Sequence, residues 1–240
     1  MDKSSIREMV WRMLEERGVA RFPRPVYGRI PNFVGAERSA EKILMLNEYR
    51  EARVIKVNPD SPQRLIRQRC LEDGKLLVMP TPRIRQGFLL LNPSKIPRSL
   101  IHHASTIKGA FKLGEPIHPS RLPKIDMIVV GSVAASRNGV RIGKGEGYAE
   151  IEYAILRELG KVDEDVFIAT NIHDLQLIDN LPREPYDLTL DYIATPTKQI
   201  KIQDRPPRPP GILWDKLDQK KLEEIPLLKE LKNCKNNPRF

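Results

Sequence analysis

R-I-G-K-G-E-G-Y, Arg141 to Tyr148, packs three glycines, two cations and an aromatic into eight residues. It lies between an apolar run, I-D-M-I-V-V (Ile125 to Val130), and a helical pattern from Tyr148 to Leu159 that ends at Gly160, a residue suited to the left-handed position after a helix. Strand, glycine turn and helix N-terminus in that order describe a phosphate cradle. Gly143, Gly145 and Gly147 allow positive φ and a close approach to bare backbone, and first-turn amides offer an anion donors and a favourable dipole. Arg141 and Lys144 add charge. The loop is neither of the common phosphate loops: Gly139 to Gly145 (G-V-R-I-G-K-G) is one residue short of a Walker A loop and lacks its Ser or Thr. The three glycines read G-x-G-x-G rather than the G-x-G-x-x-G of dinucleotide sites. On spacing alone, a glycine turn without a ligand is an equal alternative.

Upstream of this loop, strand and helix patterns alternate. Ser5-x-x-Glu8 reads as a capping box for a helix with Ile6, Met9, Val10, Met13 and Leu14 at helical spacing, ending at Gly18. A proline-rich loop (Phe22 to Gly35) precedes a helix over Ala36 to Arg50, a strand over Val54 to Val57, a helix over Ser61 to Glu72 and strands at Leu76 to Met79 and Gly87 to Leu91. Downstream, Val166 to Thr170 and Tyr192 to Ala194 read as strands. The order predicts a single three-layer α/β/α domain with a largely parallel sheet over residues 1–202, and the glycine loop would follow a strand's C-terminal end, where open sheets bind ligands. Beyond it, Q-D-R-P-P-R-P-P-G reads as a polyproline spacer. An amphipathic helix from Trp214 to Leu231, kinked at Pro226, completes an extension (203–240) that packs back on the domain.

The 41 Lys and Arg against 31 Asp and Glu leave a formal charge of +10, which favours polyanionic partners: nucleotides, polyglutamate tails or nucleic acid. No run approaches the roughly 18 apolar residues of a membrane span, and the charged start, M-D-K-S-S-I-R-E, lacks a signal-peptide core. The expectation is a soluble cytoplasmic protein without a membrane partner. Cys70 and Cys234 form neither a disulfide framework nor a zinc pattern, and the four histidines show no ligand spacing.

Three segments together resemble the 5-formyltetrahydrofolate cyclo-ligase family, also called methenyltetrahydrofolate synthetases, and in particular its divergent synthetase domain-containing branch. Lys3-x-x-x-Arg7 looks like the family's N-terminal Lys and Arg; Gly139 to Tyr148 is similar to its G-x-R-L-G-x-G-x-G-Y-Y-D loop; and P-R-E-P-Y-D-L-T-L-D-Y-I-A-T-P (Pro182 to Pro196) follows its C-terminal signature. The resemblance implies a cyclo-ligase-like (NagB/RpiA/CoA-transferase-like) architecture and a ligase that uses ATP and Mg²⁺ to convert 5-formyltetrahydrofolate to 5,10-methenyltetrahydrofolate. It implies ATP contacts from Lys3, Arg7, Arg141, Gly143, Lys144, Gly145, Gly147 and Tyr148, with Lys144, Arg141 and Tyr148 catalytic. It further implies folate contacts from Phe111, Glu115 and Tyr148, and magnesium ligation by Glu150 and Asp191. For Asp187, a cap or turn is the simpler reading; His173 beside Asp174 is placed to act as a base, with a satisfied loop histidine as the commoner alternative.

The chain departs from the family pattern on the substrate side. Gly131 to Ser136 (G-S-V-A-A-S) replaces Pro-Gly-x-x-Phe-Asp, Ala149 replaces the second tyrosine, Glu150 lengthens the loop aspartate, and Asn58 to Pro62 shows no counterpart of the folate-contacting Glu after the first strand. An extra methylene displaces a metal ligand by about 1 Å, and such misplacement can cost a hundredfold in rate. Two other functions therefore stand beside the ligase: a nucleotide-binding protein without turnover that binds RNA, and an ATP-dependent enzyme for another pterin or heterocycle. The absence of a ribonucleoprotein motif and an aromatic content of 6% weigh against RNA.

Overall fold

In the computed structural model, which describes residues 1–236, eight strands build one sheet. They are β1 (Val54–Val57), β2 (Leu76–Pro80), β3 (Phe88–Leu91), β4 (Glu115–Ile117), β5 (Met127–Val129), β6 (Phe167–Asn171), β7 (Tyr192–Ala194) and β8 (Gln199–Lys201). Across the sheet they run β8-β7-β6-β5-β1-β2-β3-β4. The five from β7 to β2 are parallel, and antiparallel pairing adds β8 at one edge and β3 and β4 at the other. From β1 the chain moves outward to β2, then returns to place β5 on the other side of β1. The topological switch point therefore lies between β1 and β5, and ligands in open α/β sheets bind outside the strand C-termini there.

Alternation along β1 shows how the sheet is covered. Ile55 and Val57 join the core beneath the helices Ala36–Leu44 and Arg64–Glu72, while Val54 faces the core that includes Tyr153, Ile155 and Leu156 of the helix Tyr148–Glu158. A third cluster seats the opening helix Lys3–Glu16, through Ile6, Val10, Trp11 and Leu14, on the ribbon Ala134–Ala135/Arg141–Ile142 that leads into the glycine loop. Among the described residues no helix is long and apolar enough to cross a membrane.

Several elements differ from expectation for identifiable reasons. Asp2, not Ser5, caps the opening helix: its Oδ1 accepts from Ser5 N at 2.8 Å, so the helix starts at Lys3. The run from Ala36 to Arg50 breaks into Ala36–Leu44 and Asn47–Glu51. Glu115-Pro116 lies in edge strand β4, where a proline costs no ladder donor. In the extension, helix begins only at Gln219 and Pro226 divides it into Gln219–Glu224 and Pro226–Asn236. Ile225 and Leu228 are fully buried in the same core as Ile155, with Trp214, Leu217 and Leu222 around them.

Candidate functional site

The glycine loop separates two cavities. The larger, about 640 Å³, opens at the switch point between Asn58 to Ser61 after β1, Pro80 to Arg83 after β2, Gly131 after β5 and the loop itself, with Tyr27 and Ile30 from the proline-rich segment. That volume falls within the range of small-molecule sites. The smaller, about 310 Å³, lies between the same loop, Lys3 and Arg7 of the opening helix, and Asp187. Arg141, Gly143, Glu146, Gly147 and Glu150 border both.

The loop's conformation follows from its glycines. Gly145 (φ +106°) and Gly147 (φ +71°) are left-handed, whereas Gly143 is not. Gly143 instead makes room: a Cβ there would meet Arg141 Nη2 at 2.7 Å. Gly147 is the N-cap of Tyr148–Glu158 and supplies no capping side chain, so the first-turn amides beside the cavities carry the positive end of the helix dipole without an internal acceptor.

Cations from separate elements converge on this turn. Arg7 Nε donates to Gly143 O at 2.7 Å, tying the opening helix to the loop, and burial, partly offset by Glu150 and Asp187, lowers its pKa from the ordinary arginine value. The buried Arg141 pairs through Nη1 with Glu150 and donates through Nη2 to Gly131 O at 2.9 Å, while its Nε lacks a protein partner. Lys144, which is exposed, meets only the half-buried Glu146, at 2.7 Å. A surface pair of this kind contributes little and yields readily to a stronger anion. Lys3 Nζ bonds Asp187 Oδ2, which also accepts from Glu184 N at 2.6 Å, so Asp187 is at once a turn residue and part of the pocket.

Tyr148 stands at the cavity wall, but its hydroxyl donates to Glu224 Oε2 at 2.8 Å, and burial followed by that bond pushes its pKa up to about 12. The ring, rather than the hydroxyl, is what it offers a ligand. Three expected residues are elsewhere. Phe111 is exposed on the helix Ile107–Leu113 and borders neither cavity. Glu115, on the edge strand, faces Lys95 across an exposed pair at 3.4 Å. Asp191 lies at the opposite end of the parallel strands: its carboxylate accepts from Ile168 N at 2.7 Å, Arg205 Nε at 2.8 Å and Arg208 Nη2 at 2.5 Å. It cannot join Glu150 around one ion.

Two groups at the larger cavity escape sequence reasoning. Asp60, after β1, reaches over Gly131, where a Cβ would meet its Oδ2 at 2.5 Å, and burial raises its pKa against the pull of Lys144 and Arg67. It is a carboxylate in the segment after the first strand that lines the larger cavity. Behind it, buried Lys56 of β1 pairs with Glu152, which also accepts from Asn58 Nδ2 at 3.1 Å. The only sequence signals were a lysine inside V-I-K-V and a second glutamate in E-I-E-Y. Ser136, at the family's aspartate position, is used locally: its hydroxyl bonds Asn138 and Val140 O within the ribbon turn. His173 is a helix cap, accepting from Leu175 N at 3.1 Å, and burial lowers its pKa.

Among the described residues, no cluster of three or more His, Cys, Asp or Glu side chains is placed to hold a metal. Glu150, the acidic residue of the loop helix's first turn, is paired through Oε1 with Arg141, and a magnesium ion beside it would have to take its other ligands from phosphate and water oxygens.

Comparison with known proteins bears on the family and the fold. The family model for the 5-formyltetrahydrofolate cyclo-ligase family matches residues 1–196. The chain is 42% identical to the methenyltetrahydrofolate synthase domain-containing protein of Mus musculus and 41% identical to that of Bos taurus, in each case over 97% of this chain. It spans about three-fifths of their length, 63% and 62%. Its fold is similar to the NMR structure of the Aquifex aeolicus 5,10-methenyltetrahydrofolate synthetase, with a TM-score of 0.54 at 20% identity over 86% of this chain and 95% of that one.

Proposed function

Since the chain belongs to the 5-formyltetrahydrofolate cyclo-ligase family, we propose that it binds Mg-ATP and a 5-formyl reduced folate on the two sides of the glycine loop and couples cleavage of ATP to ADP and phosphate to ring closure within the folate. One observation carries this reading: Arg7, Arg141 and Lys144 meet an uncapped helix N-terminus on a loop shared by two cavities. The smaller, cation-lined pocket suits the triphosphate. The larger one, with Tyr27, Ile30, Pro80 and Pro82 beside the Asp60 carboxyl, suits a flat heterocycle carrying N–H donors. Nothing in this enclosed arrangement favours RNA.

The family reaction transfers the γ-phosphoryl group to the formyl oxygen, after which N10 closes the ring and phosphate leaves. Such transfers depend on positioning and on stabilising transferring charge. Here Arg7 and Arg141 would hold the loop and its anion in place, Lys144 would exchange Glu146 for phosphate, and the Tyr148 ring would close the wall against water. Magnesium, when bound beside Glu150, would neutralise phosphate charge.

A second reading, ligand binding without turnover, is favoured by particular residues: Ala149 supplies no second tyrosine, Ser136 is engaged in its turn, and Asp191 is remote. Calorimetry with Mg-ATP, together with absorbance detection of methenyl product from 5-formyltetrahydrofolate, separates the two. Turnover of roughly 1 per second or faster carries the ligase. Binding of both ligands without product carries the second reading, and no binding of Mg-ATP sinks both.

A further inference from the structure

The smaller pocket has a wall that the family-matched residues do not build. Lys216, Leu217, Asp218 and Lys221, all beyond residue 196, border it together with Lys3 and Arg7. Their segment is anchored from within by buried Ile225 and Leu228 and at the rim by Glu224. Glu224 accepts from Tyr148 Oη at 2.8 Å and from Arg83 Nη1 at 3.0 Å, with Arg85 at 3.7 Å. It thereby ties the extension to the first residue of the loop helix and to the segment after β2.

The two lysines are placed by these anchors. Lys221 Nζ sits 3.6 Å from the centre of the Tyr148 ring and 3.7 Å from Glu224, which holds its charge at the pocket's edge. Lys216 is exposed and, among the described residues, is not one of the lysines held in an ion pair. Lys3, the pocket's other lysine, is partly neutralised by Asp187. The extension therefore adds Lys216, without a carboxylate partner among the described residues, and Lys221, paired with Glu224, to a pocket whose remaining lysine, Lys3, is held by Asp187.

We infer that Lys216 and Lys221 are ligand-binding residues of the phosphate site, completing with Arg7 and Arg141 the cationic lining around the nucleotide's triphosphate. The inference rests on the nucleotide reading above. A triphosphate fits better than a polyglutamate chain because the same pocket presents the glycine backbone and a helix N-terminus, which match phosphate oxygens. The extension is then part of the binding site and not merely cover for the core.

The test is calorimetry of Lys216→Ala/Lys221→Ala against the parent, with Mg-ATP and separately with inorganic triphosphate, each at low and high salt. Lys232→Ala, an exposed lysine of the same extension outside the pocket, is the control. The double variant is expected to bind each probe about tenfold or more weakly, with a shallower salt dependence, while the control binds like the parent. Lys216→Gln alone gives the same readout should the double variant fail to fold. Unchanged affinity in the folded variants overturns the inference. Triphosphate binding that weakens in the variant, without Mg-ATP binding by the parent, keeps the inference and discards the nucleotide reading; a parent that binds neither probe overturns both.

Discussion

The two ends of the parallel strands treat charge differently. At the N-terminal ends, carboxylates are built into the architecture: Asp126 accepts from Arg53 N and Val54 N at 2.8 and 2.9 Å, and Asp191 accepts from one backbone amide and two arginines. At the C-terminal ends, beside the buried Lys56–Glu152 pair, the charges of the glycine loop have a partner that a ligand can replace, as in Lys144 with Glu146, or an unused polar atom, as in Arg141 Nε. Of the charged residues that match the family signatures, Asp191 is a structural tie at one end of the sheet, whereas Arg7, Arg141 and Lys144 gather at the glycine loop at the other. Spacing in the sequence does not distinguish them.

The largest effect should come from breaking a tie at the N-terminal end. Arg208, whose side chain is fully buried, bonds Asp191 and the carbonyls of Glu164, Val166 and Thr189. Arg208→Ala leaves a buried carboxylate and several carbonyls short of donors, at a cost of about 3 to 5 kcal/mol. Thermal unfolding should fall by roughly 6 °C or more for a chain of this size. Mg-ATP affinity of the protein still folded should be unchanged.

At the other end the pattern reverses. Lys144→Ala should leave thermal stability within about 0.5 kcal/mol of the parent, as expected for an exposed side chain. It should weaken Mg-ATP binding by about 1.5 to 3 kcal/mol, the value of a charge-assisted contact. Loss of stability without loss of affinity would place this lysine in the architectural class.

Magnesium sharpens the contrast between the two signature carboxylates. Glu150→Gln should reduce the gain in ATP affinity that Mg²⁺ provides, whereas Asp191→Asn should lower stability and leave that gain intact. Measuring ATP affinity with and without Mg²⁺ in both variants decides between them, and equal loss of magnesium dependence would return Asp191 to the metal site.

A smaller effect is expected from Asp174, just past the C-terminal end of β6. Burial alone would raise its pKa, but hydrogen bonds from Lys198, Thr197 and Thr195 hold it at about 2. Because the folded value lies below the unfolded value of about 3.9, its contribution is fully present above the latter and is lost as pH falls toward 2. Asp174→Asn should therefore lower stability near neutrality, flatten the acid side of the profile between about pH 4 and 2, and converge on the parent at the acid end.

Much of the fold was legible because its signals are local. V-I-K-V, I-D-M-I-V-V and Y-I-A mark central strands by apolar runs, and their alternation with helical spacing implied a parallel sheet. The edge strands β4 and β8 were not, since E-P-I and Q-I-K are short and polar and acquire their conformation from a neighbour. The glycine loop was legible as a turn leading into a helix N-terminus, but the partners of its charges were not. Nothing near Tyr148 signals Glu224, 76 residues away, and nothing near Asp191 signals Arg208 rather than a metal. Asp60 was overlooked because it enters the cavity over Gly131, a contact between segments 71 residues apart that only the packing of β1 against β5 creates.

The most direct measurement is amide hydrogen exchange, resolved along the chain, with and without saturating Mg-ATP. Exchange should slow at Lys144 to Ile151, where backbone donors at the loop and helix N-terminus take up phosphate oxygens, and stay the same at Phe167 to Ala169 and Asp191 to Ile193, where the donors are already used. Protection that is absent from the loop, or that appears instead around Asp191, would contradict the placement of the nucleotide at the C-terminal ends of the strands.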